Sequence, residues 1–354
     1  MFDNLPIFGI CGFSGSGKTN LIEKLVPRLS ANGLKVAVVK YDVHGIVVDK
    51  PGKDSDRFFR SGADVLLNSP EEEFFRVHSS DDSQLSYTLL SLSQYYDLIL
   101  VEGGKNTPLT KVWLMSDGES EPPSDINGII AVLPWDTDRV GKVISILDDW
   151  LPGQWMKPPV FGCVLVGGRN NRMGTAKHLL IENGKTWLEK KIELLKHVCH
   201  RVVIVGDGTV TEMFKEVVRL PDIPDIQGPM AGILSAMRWA PHVSWLVTAC
   251  DLPNLSLEAL EWLLSFRGPG IWAIIPHLKG SKGIEPLLAH YDFRARVLLE
   301  KLAIQGIFRP GKIADNPKVV VESPPDHLAA AWVNINTKAE LKTHRSKTKR
   351  SFKT

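Results

Sequence analysis

The chain has 354 residues, 44% hydrophobic and 23% charged, and its 42 Lys and Arg against 40 Asp and Glu leave a formal charge of +2. That balance excludes a wholly disordered or collagen-like chain, and four Cys are too few for a disulfide scaffold. The length fits about two domains. The positive charge is unevenly placed. From residue 341 onward there are six Lys or Arg and no acid, and the rest of the chain carries 36 basic against 40 acidic residues. The body therefore offers no basic face of the size duplex nucleic acid needs. Residues 342–354 read as a solvated, disordered basic tail, with a nucleic-acid or membrane role as the alternative. No apolar run approaches the ~18 residues of a membrane span, and no basic segment precedes an apolar one at the start. The expectation is a cytoplasmic protein without a secretory signal, working apart from membranes and nucleic acid. Cys11, Cys163, Cys199 and Cys250 share no CxxC spacing and read as buried thiols.

Taken in chain order, residues 7–11 (IFGIC) form a β-branched apolar run that leads into a glycine-rich turn and then an amphipathic stretch. Runs at 35–40, 98–101 and 129–133 read as further strands buried on both faces. A break follows at 151–159 (LPGQWMKPP), where three prolines and a glycine argue against helix or strand. The pattern then restarts. Residues 160–166 lead into GGRNNRMG, strands are expected at 202–205, 245–249 and 271–275, and helices near 187–197, 230–239, 256–265 and 293–304. Strand–helix alternation predicts an α/β chain with two doubly wound, mostly parallel sheets.

Gly12-Phe13-Ser14-Gly15-Ser16-Gly17-Lys18-Thr19 matches GxxxxGK[ST] in full, with a strand before and a helix after. Such a loop turns backbone N–H groups and a helix N-terminus toward phosphate oxygens. Lys18 would neutralise the β and γ phosphates, and the Thr19 hydroxyl would ligate Mg²⁺. Glu102, ending the apolar run at 98–101, is a second candidate for the metal, with loop capping as the alternative. No residue stands out to position a hydrolytic water. Arg57 and Arg60 are candidate cations that a solvated helix face explains equally well. Nucleotide binding is thus better supported than rapid hydrolysis.

In the second half Gly167 and Gly168 end a strand and let the backbone approach a nucleotide, while Arg172 and Lys177 supply two cations. In nucleotidyl transfer the α-phosphorus is attacked and pyrophosphate leaves, so cations placed there favour the transition state over the ground state. In WLVTACDLP, Asp251 follows an apolar strand, where a carboxylate is a natural Mg²⁺ ligand.

GFSGSGKT, the segment containing PGKDS (Pro51 to Ser55), and LILVEGGK resemble the molybdopterin-guanine dinucleotide biosynthesis adapter family over about residues 5–150. Tyr41 follows Lys40 where that family has His, and His44 lies nearby. LVGGRNNRMGTAK, GPMAGI, ACDLP and VNINT resemble the molybdenum cofactor guanylyltransferase family over about residues 160–340. This likeness implies that Leu165, Val166, Gly167 and Gly168 contact GTP, that Lys177 meets its triphosphate, that Asp222 lies near the guanosine, and that Asp251 binds GTP and Mg²⁺. It also implies that Asn334 and Asn336 line the pterin side. Asn170, Ala176 and Val205 depart from the family pattern.

Together these likenesses imply a P-loop GTP-binding adapter domain (1–152), a linker (153–159), a Rossmann-like nucleotidyltransferase domain (160–341) and the tail (342–354). The reaction implied is GMP transfer from GTP to molybdenum-molybdopterin, catalysed by Arg172, Lys177 and Asp251. Alternatives are a cytidylyl- or sugar-phosphate nucleotidyltransferase, and a non-catalytic, nucleotide-gated role for the first half. Implied partners are GTP, molybdopterin, molybdoenzyme apoproteins and other cofactor-biosynthesis proteins.

Overall fold

The computed structural model describes residues 4–41, 49–78, 83–119, 121–167, 176–208, 214–281 and 283–351. His44, Gly168 and Arg172 lie outside them. The chain divides into two compact units, Met1–Asp148 and Asp149–Thr354.

In the first unit β1 (Ile7–Cys11), α1 (Lys18–Ala31), β2 (Val36–Lys40) and α2 (Asp54–Arg60) are followed by the hairpin β3 (Val65–Asn68) and β4 (Glu73–Arg76). Next come α3 (Ser83–Ser93), β5 (Leu98–Glu102), β6 (Lys111–Leu114), β7 (Ile129–Leu133) and α4 (Arg139–Met156), whose residues from Asp149 on belong to the second unit. Five strands form one sheet in the order β2-β5-β1-β6-β7, every pair parallel. β1 and β5 are buried along their whole length, as an apolar run flanked by two strands should be. β2 and β7 differ from expectation. They are the sheet edges, and Val38, Ile130 and Val132 are exposed. Run composition alone does not reveal whether a second strand covers an edge.

The break expected at 151–159 is also corrected, because α4 continues through Pro152 to Met156. Val143, Leu147, Leu151 and Trp155 follow each other at four-residue spacing and are all buried. That stripe outweighs the single N–H the proline lacks. Within the second unit, to which Trp155 belongs, the Arg294 guanidinium lies 4.1 Å from the Trp155 ring centroid. Arg267 Nη2 donates to the Pro158 carbonyl at 2.9 Å. This stretch is therefore anchored structure.

The second unit contains β8 (Val160–Leu165), a short hairpin β9 (Ile181–Glu182) and β10 (Lys185–Thr186), α5 (Trp187–Val198), β11 (Arg201–Val205) and β12 (Val218–Leu220). α6 (Pro229–Trp239), β13 (Ser244–Ala249), α7 (Leu257–Leu264), β14 (Ala273–Pro276), β15 (Leu288–Tyr291), α8 (Ala295–Ile304), β16 (Val319–Glu322) and α9 (Lys338–Ser351) follow. The sheet order is β12-β11-β8-β13-β15-β14-β16, parallel except for β15, which runs against both neighbours. α5 opens on a full capping box between Thr186 and Glu189. The chain is therefore α/β with mostly parallel sheets, as expected. The disordered tail is corrected: α9 runs through most of it. Arg345 donates to the Ile181 carbonyl and His344 Nε2 lies 2.8 Å from Glu182 Oε1, contacts that tie the middle of the helix to β9. All four Cys are buried free thiols, and burial pushes Cys199 up to about 12 and Cys250 up to about 11.

Candidate functional sites

In the first unit the loop from Gly12 to Gly17 joins the end of β1 to the start of α1. Gly12 has φ +152, and a β-carbon there would lie 2.4 Å from Ser16 Oγ and 2.5 Å from the Leu114 carbonyl oxygen, so only glycine closes the turn. Lys18 Nζ donates to the carbonyls of Gly12 at 3.0 Å and Phe13 at 2.7 Å, folding back over its own loop. Burial lowers its pKa, partly opposed by Glu102. Thr19 Oγ1 donates to Glu102 Oε1 at 2.9 Å. The hydroxyl and the carboxylate expected at one metal thus meet across 83 residues of sequence. Ser16 Oγ is buried with no hydrogen-bond partner among the described residues. Ser14 and Gly15 complete the loop, Gly15 with positive φ and open space around it. Arg57 and Arg60 stay on the exposed face of α2, Arg57 near Asp54 at 4.0 Å and Arg60 on Asp56 at 2.8 Å.

Two residues here escaped sequence reasoning. Lys111 is fully buried and donates to the carbonyls of Lys105 at 2.8 Å and Thr107 at 2.6 Å. It braces the loop that follows Glu102. Arg139 donates to the Ser16 carbonyl at 2.7 Å and so braces the Gly12–Gly17 loop. A basic residue within a polar stretch gives no sign of such distant acceptors.

In the second unit Leu165 pairs in register with Val205 on one side and Ala249 on the other. The chain beyond it therefore emerges between the ends of β11 and β13. Val166 N donates to the Val205 carbonyl at 2.8 Å. Gly206 has φ +115, and a β-carbon there would sit 1.9 Å from the Val166 carbonyl oxygen and 3.7 Å from Asp222 Oδ2. The same probe at Gly232 of α6 meets Leu165 Cδ2 at 2.7 Å and Asp222 Oδ1 at 3.2 Å. Leu165, Val166 and Asp222 thus share one wall, and the space in front of Gly167 faces the Asp207 and Gly208 amides. Burial, reinforced by Asp207, raises the Asp222 pKa.

Asp251 lies two residues past Ala249, at the same edge of the sheet. Lys177 Nζ donates to Asp251 Oδ2 at 3.0 Å and to Asn336 Oδ1 at 2.7 Å. Both side chains of the ion pair keep about a fifth of their surface exposed, 18% for Lys177 and 22% for Asp251. The Asp251 backbone is held from two sides. Its carbonyl accepts from Ile335 N at 3.0 Å, and the next carbonyl, of Leu252, accepts from Lys191 Nζ at 2.6 Å. Lys191 on α5 was missed from sequence, where it reads as the polar face of a helix. It is 2% exposed, and burial depresses its pKa from 10.5 to about 8, with Cys250 and Asp251 opposing the shift. Asn334 and Asn336 are both exposed, and Asn336 turns its side-chain oxygen toward Lys177.

Among the described residues no three His, Cys, Asp or Glu side chains gather as a complete metal cage. Both acidic positions nevertheless suit a hard cation that takes its remaining ligands from phosphates and water: Thr19 with Glu102 in one unit, Asp251 in the other.

The family described as Molybdopterin guanine dinucleotide synthesis protein B (MobB) matches residues 7–135, and the MobA-like NTP transferase domain matches residues 162–309. A Haemophilus influenzae molybdopterin-guanine dinucleotide biosynthesis adapter protein is 32% identical over 164 residues, 43% of this chain and 92% of that protein. A probable molybdenum cofactor guanylyltransferase of Bacillus cereus is 31% identical over 186 residues, 51% of this chain and 92% of that protein. The chain belongs to both families. It joins a MobB-type adapter region to a MobA-like nucleotidyltransferase region and falls within molybdenum cofactor biosynthesis. Among solved structures, molybdopterin-guanine dinucleotide biosynthesis protein A from Archaeoglobus fulgidus is 28% identical with a TM-score of 0.45, covering 54% of this chain and 99% of that one. No helix among the described residues is long and apolar enough to cross a membrane.

Proposed function

We propose that the second unit transfers GMP from GTP to molybdopterin, forming the guanine dinucleotide and pyrophosphate. The observation that carries this reading is the meeting of Lys177 and Asp251 at 3.0 Å beside the Leu165–Gly167 strand end. The anionic phosphate of the acceptor attacks the α-phosphorus of GTP, a new P–O bond forms, and the bond to the β-phosphate breaks to release pyrophosphate. The acceptor phosphate is already charged, so no side chain need remove a proton. Lys177 follows the negative charge as it builds on the departing oxygens, and Arg172, five residues earlier in the sequence, supplies a second cation. Asn336 and Asp251 hold the Lys177 ammonium at the sheet edge, so little reorganisation is needed when the triphosphate arrives. Leu165, Val166, Gly167 and Gly168 receive the nucleoside, with Asp222 at its wall.

Asp251 would hold Mg²⁺ there, and Thr19 with Glu102 would hold it in the first unit. When bound, the ion screens the repulsion between phosphates. The first unit acts as a nucleotide-binding adapter that delivers pterin or docks with proteins awaiting cofactor. The adapter name of its Haemophilus influenzae relative and the Thr19–Glu102 contact support this reading.

The test measures pyrophosphate release with GTP, CTP and UTP, with and without molybdopterin. GTP should be strongly preferred and release should require the pterin. Asp251→Ala and Lys177→Ala should each lower kcat at least about 100-fold, with circular dichroism and melting profiles intact because the pair is partly exposed. Full activity in either variant refutes the reading.

A further inference from the structure

The first unit carries an aromatic side chain that the reading above leaves without a task. Trp135 lies in the turn between β7 and α4 and is 50% exposed. It stands beside the phosphate loop: a β-carbon built on Gly17 would be 4.0 Å from Trp135 Cζ3 and 3.6 Å from Arg139 Nη1. Arg139 ties this neighbourhood together. It donates to the Ser16 carbonyl at 2.7 Å, the Leu133 carbonyl at 3.1 Å, the Pro134 carbonyl at 2.8 Å, and to the Met115 carbonyl. One guanidinium thus links the loop to the chain just beyond β6 and to the end of β7. Its carbon lies 5.2 Å from the Trp135 ring centroid. The indole is therefore solvent-facing but braced by a neighbour that is itself tied down.

The sheet order gives this position a direction. β5 lies on one side of β1 and brings Glu102 to Thr19. That side is where a metal and the terminal phosphates belong. β6 and β7 lie on the other side of β1. A nucleotide whose phosphates sit in the loop with their metal toward β5 has β6 and β7 on its other side, where there is room for its nucleoside beside the exposed Trp135. Trp135 follows the end of β7. A flat, exposed, braced indole beside the phosphate cradle is suited to stacking on a heterocyclic base.

We propose that Trp135 is the base platform for a purine nucleoside triphosphate held by the Gly12–Thr19 loop, with Arg139 as the residue that positions it. This rests on the nucleotide-binding reading of the first unit and adds where the base lies. Stacking reads the face of a base and not its edge, so Trp135 contributes similarly to the binding of guanine and adenine nucleotides.

The test uses the full chain carrying Lys177→Ala and Asp251→Ala, which weaken the second site, and measures Kd for GTP, ATP and inorganic tripolyphosphate by calorimetry with Mg²⁺ present. Adding Trp135→Ala should raise Kd for GTP and for ATP by about 5- to 100-fold, while tripolyphosphate binding stays within about twofold. Trp135→Phe should recover most of the loss. An equal loss for tripolyphosphate would mean that the indole merely props the loop, and unchanged nucleotide affinity would mean that it stacks on nothing; either overturns the proposal. Should the parent bind neither nucleotide nor tripolyphosphate, and Lys18→Ala change nothing, the loop is no nucleotide site and the platform falls with it.

Discussion

Lys191 offers a sharp test of how the Asp251 turn is held. The side chain is 2% exposed, its ammonium donates to the Leu252 carbonyl, and among the described residues no carboxylate lies within ion-pair distance. Burial lowers its pKa from 10.5 to about 8. The sign follows from linkage: between these two values the unfolded chain binds the proton that the folded chain has released, so stability rises with pH across the window. At pH 7 both states are protonated, and the full cost of burying the charge is present, about 3 kcal/mol at 1.36 kcal/mol per pKa unit. Near pH 9.5 the folded group is neutral while the unfolded one is still mostly charged, and about 2 kcal/mol of that cost has been relieved. Lys191→Met removes the titration but keeps the apolar stem. Urea unfolding of both proteins at pH 7 and pH 9.5 cancels every other titrating group in the difference. The wild type should gain about 2 kcal/mol on the variant over that interval. A difference that does not change with pH, or one that falls, would refute the claim that a charged amine is buried against the Leu252 carbonyl.

Two further expectations concern the two sites separately. Gly206→Ala should destabilise the second unit by about 3 kcal/mol, because φ is +115 and the new methyl would fall 1.9 Å from the Val166 carbonyl. Gly306→Ala, also at positive φ but with nothing within 4 Å, should cost only about 1 kcal/mol; equal losses in thermal melts would contradict the crowding at Gly206. In the first unit Glu102→Gln removes the charge that Thr19 Oγ1 approaches at 2.9 Å. With the second site silenced, GTP affinity of the parent should improve when EDTA is replaced by Mg²⁺. The variant should lose about tenfold of that improvement, and an unchanged Mg²⁺ response would remove Glu102 from the metal site.

Much of the chain was legible because its signals are contiguous. GFSGSGKT carries strand end, turn and helix start within one stretch, since phosphate binding needs consecutive backbone amides. Glu102 and Asp251 were visible because an acid directly after an apolar strand must emerge at the sheet edge. The two α/β units followed from the same local alternation of periods. Where local rules misled, a distant surface had decided. α4 passes through Pro152 because Leu151 and Trp155 are buried, and β2 and β7 are half-exposed because, among the described residues, they are the outer strands of their sheet.

Residue types and spacing by themselves pointed to the α/β class, to a glycine-rich loop of the phosphate-binding type, and to a lysine and a strand-end carboxylate as candidates in the second half. Only the folded chain decided which polar groups meet. Lys177 reaches Asn336 across 159 residues, Lys191 reaches Leu252 across 61, and Arg139 reaches Ser16 across 123. In sequence each is a basic residue in a polar or amphipathic setting, which solvent would satisfy equally well. The physical reason is that an ammonium or guanidinium withdrawn wholly or partly from solvent is stable only where the fold presents acceptors that replace water. Two of those acceptors are the backbone carbonyls of Leu252 and Ser16 and the third is the Asn336 side-chain oxygen, and the direction of none of them is written in a single residue.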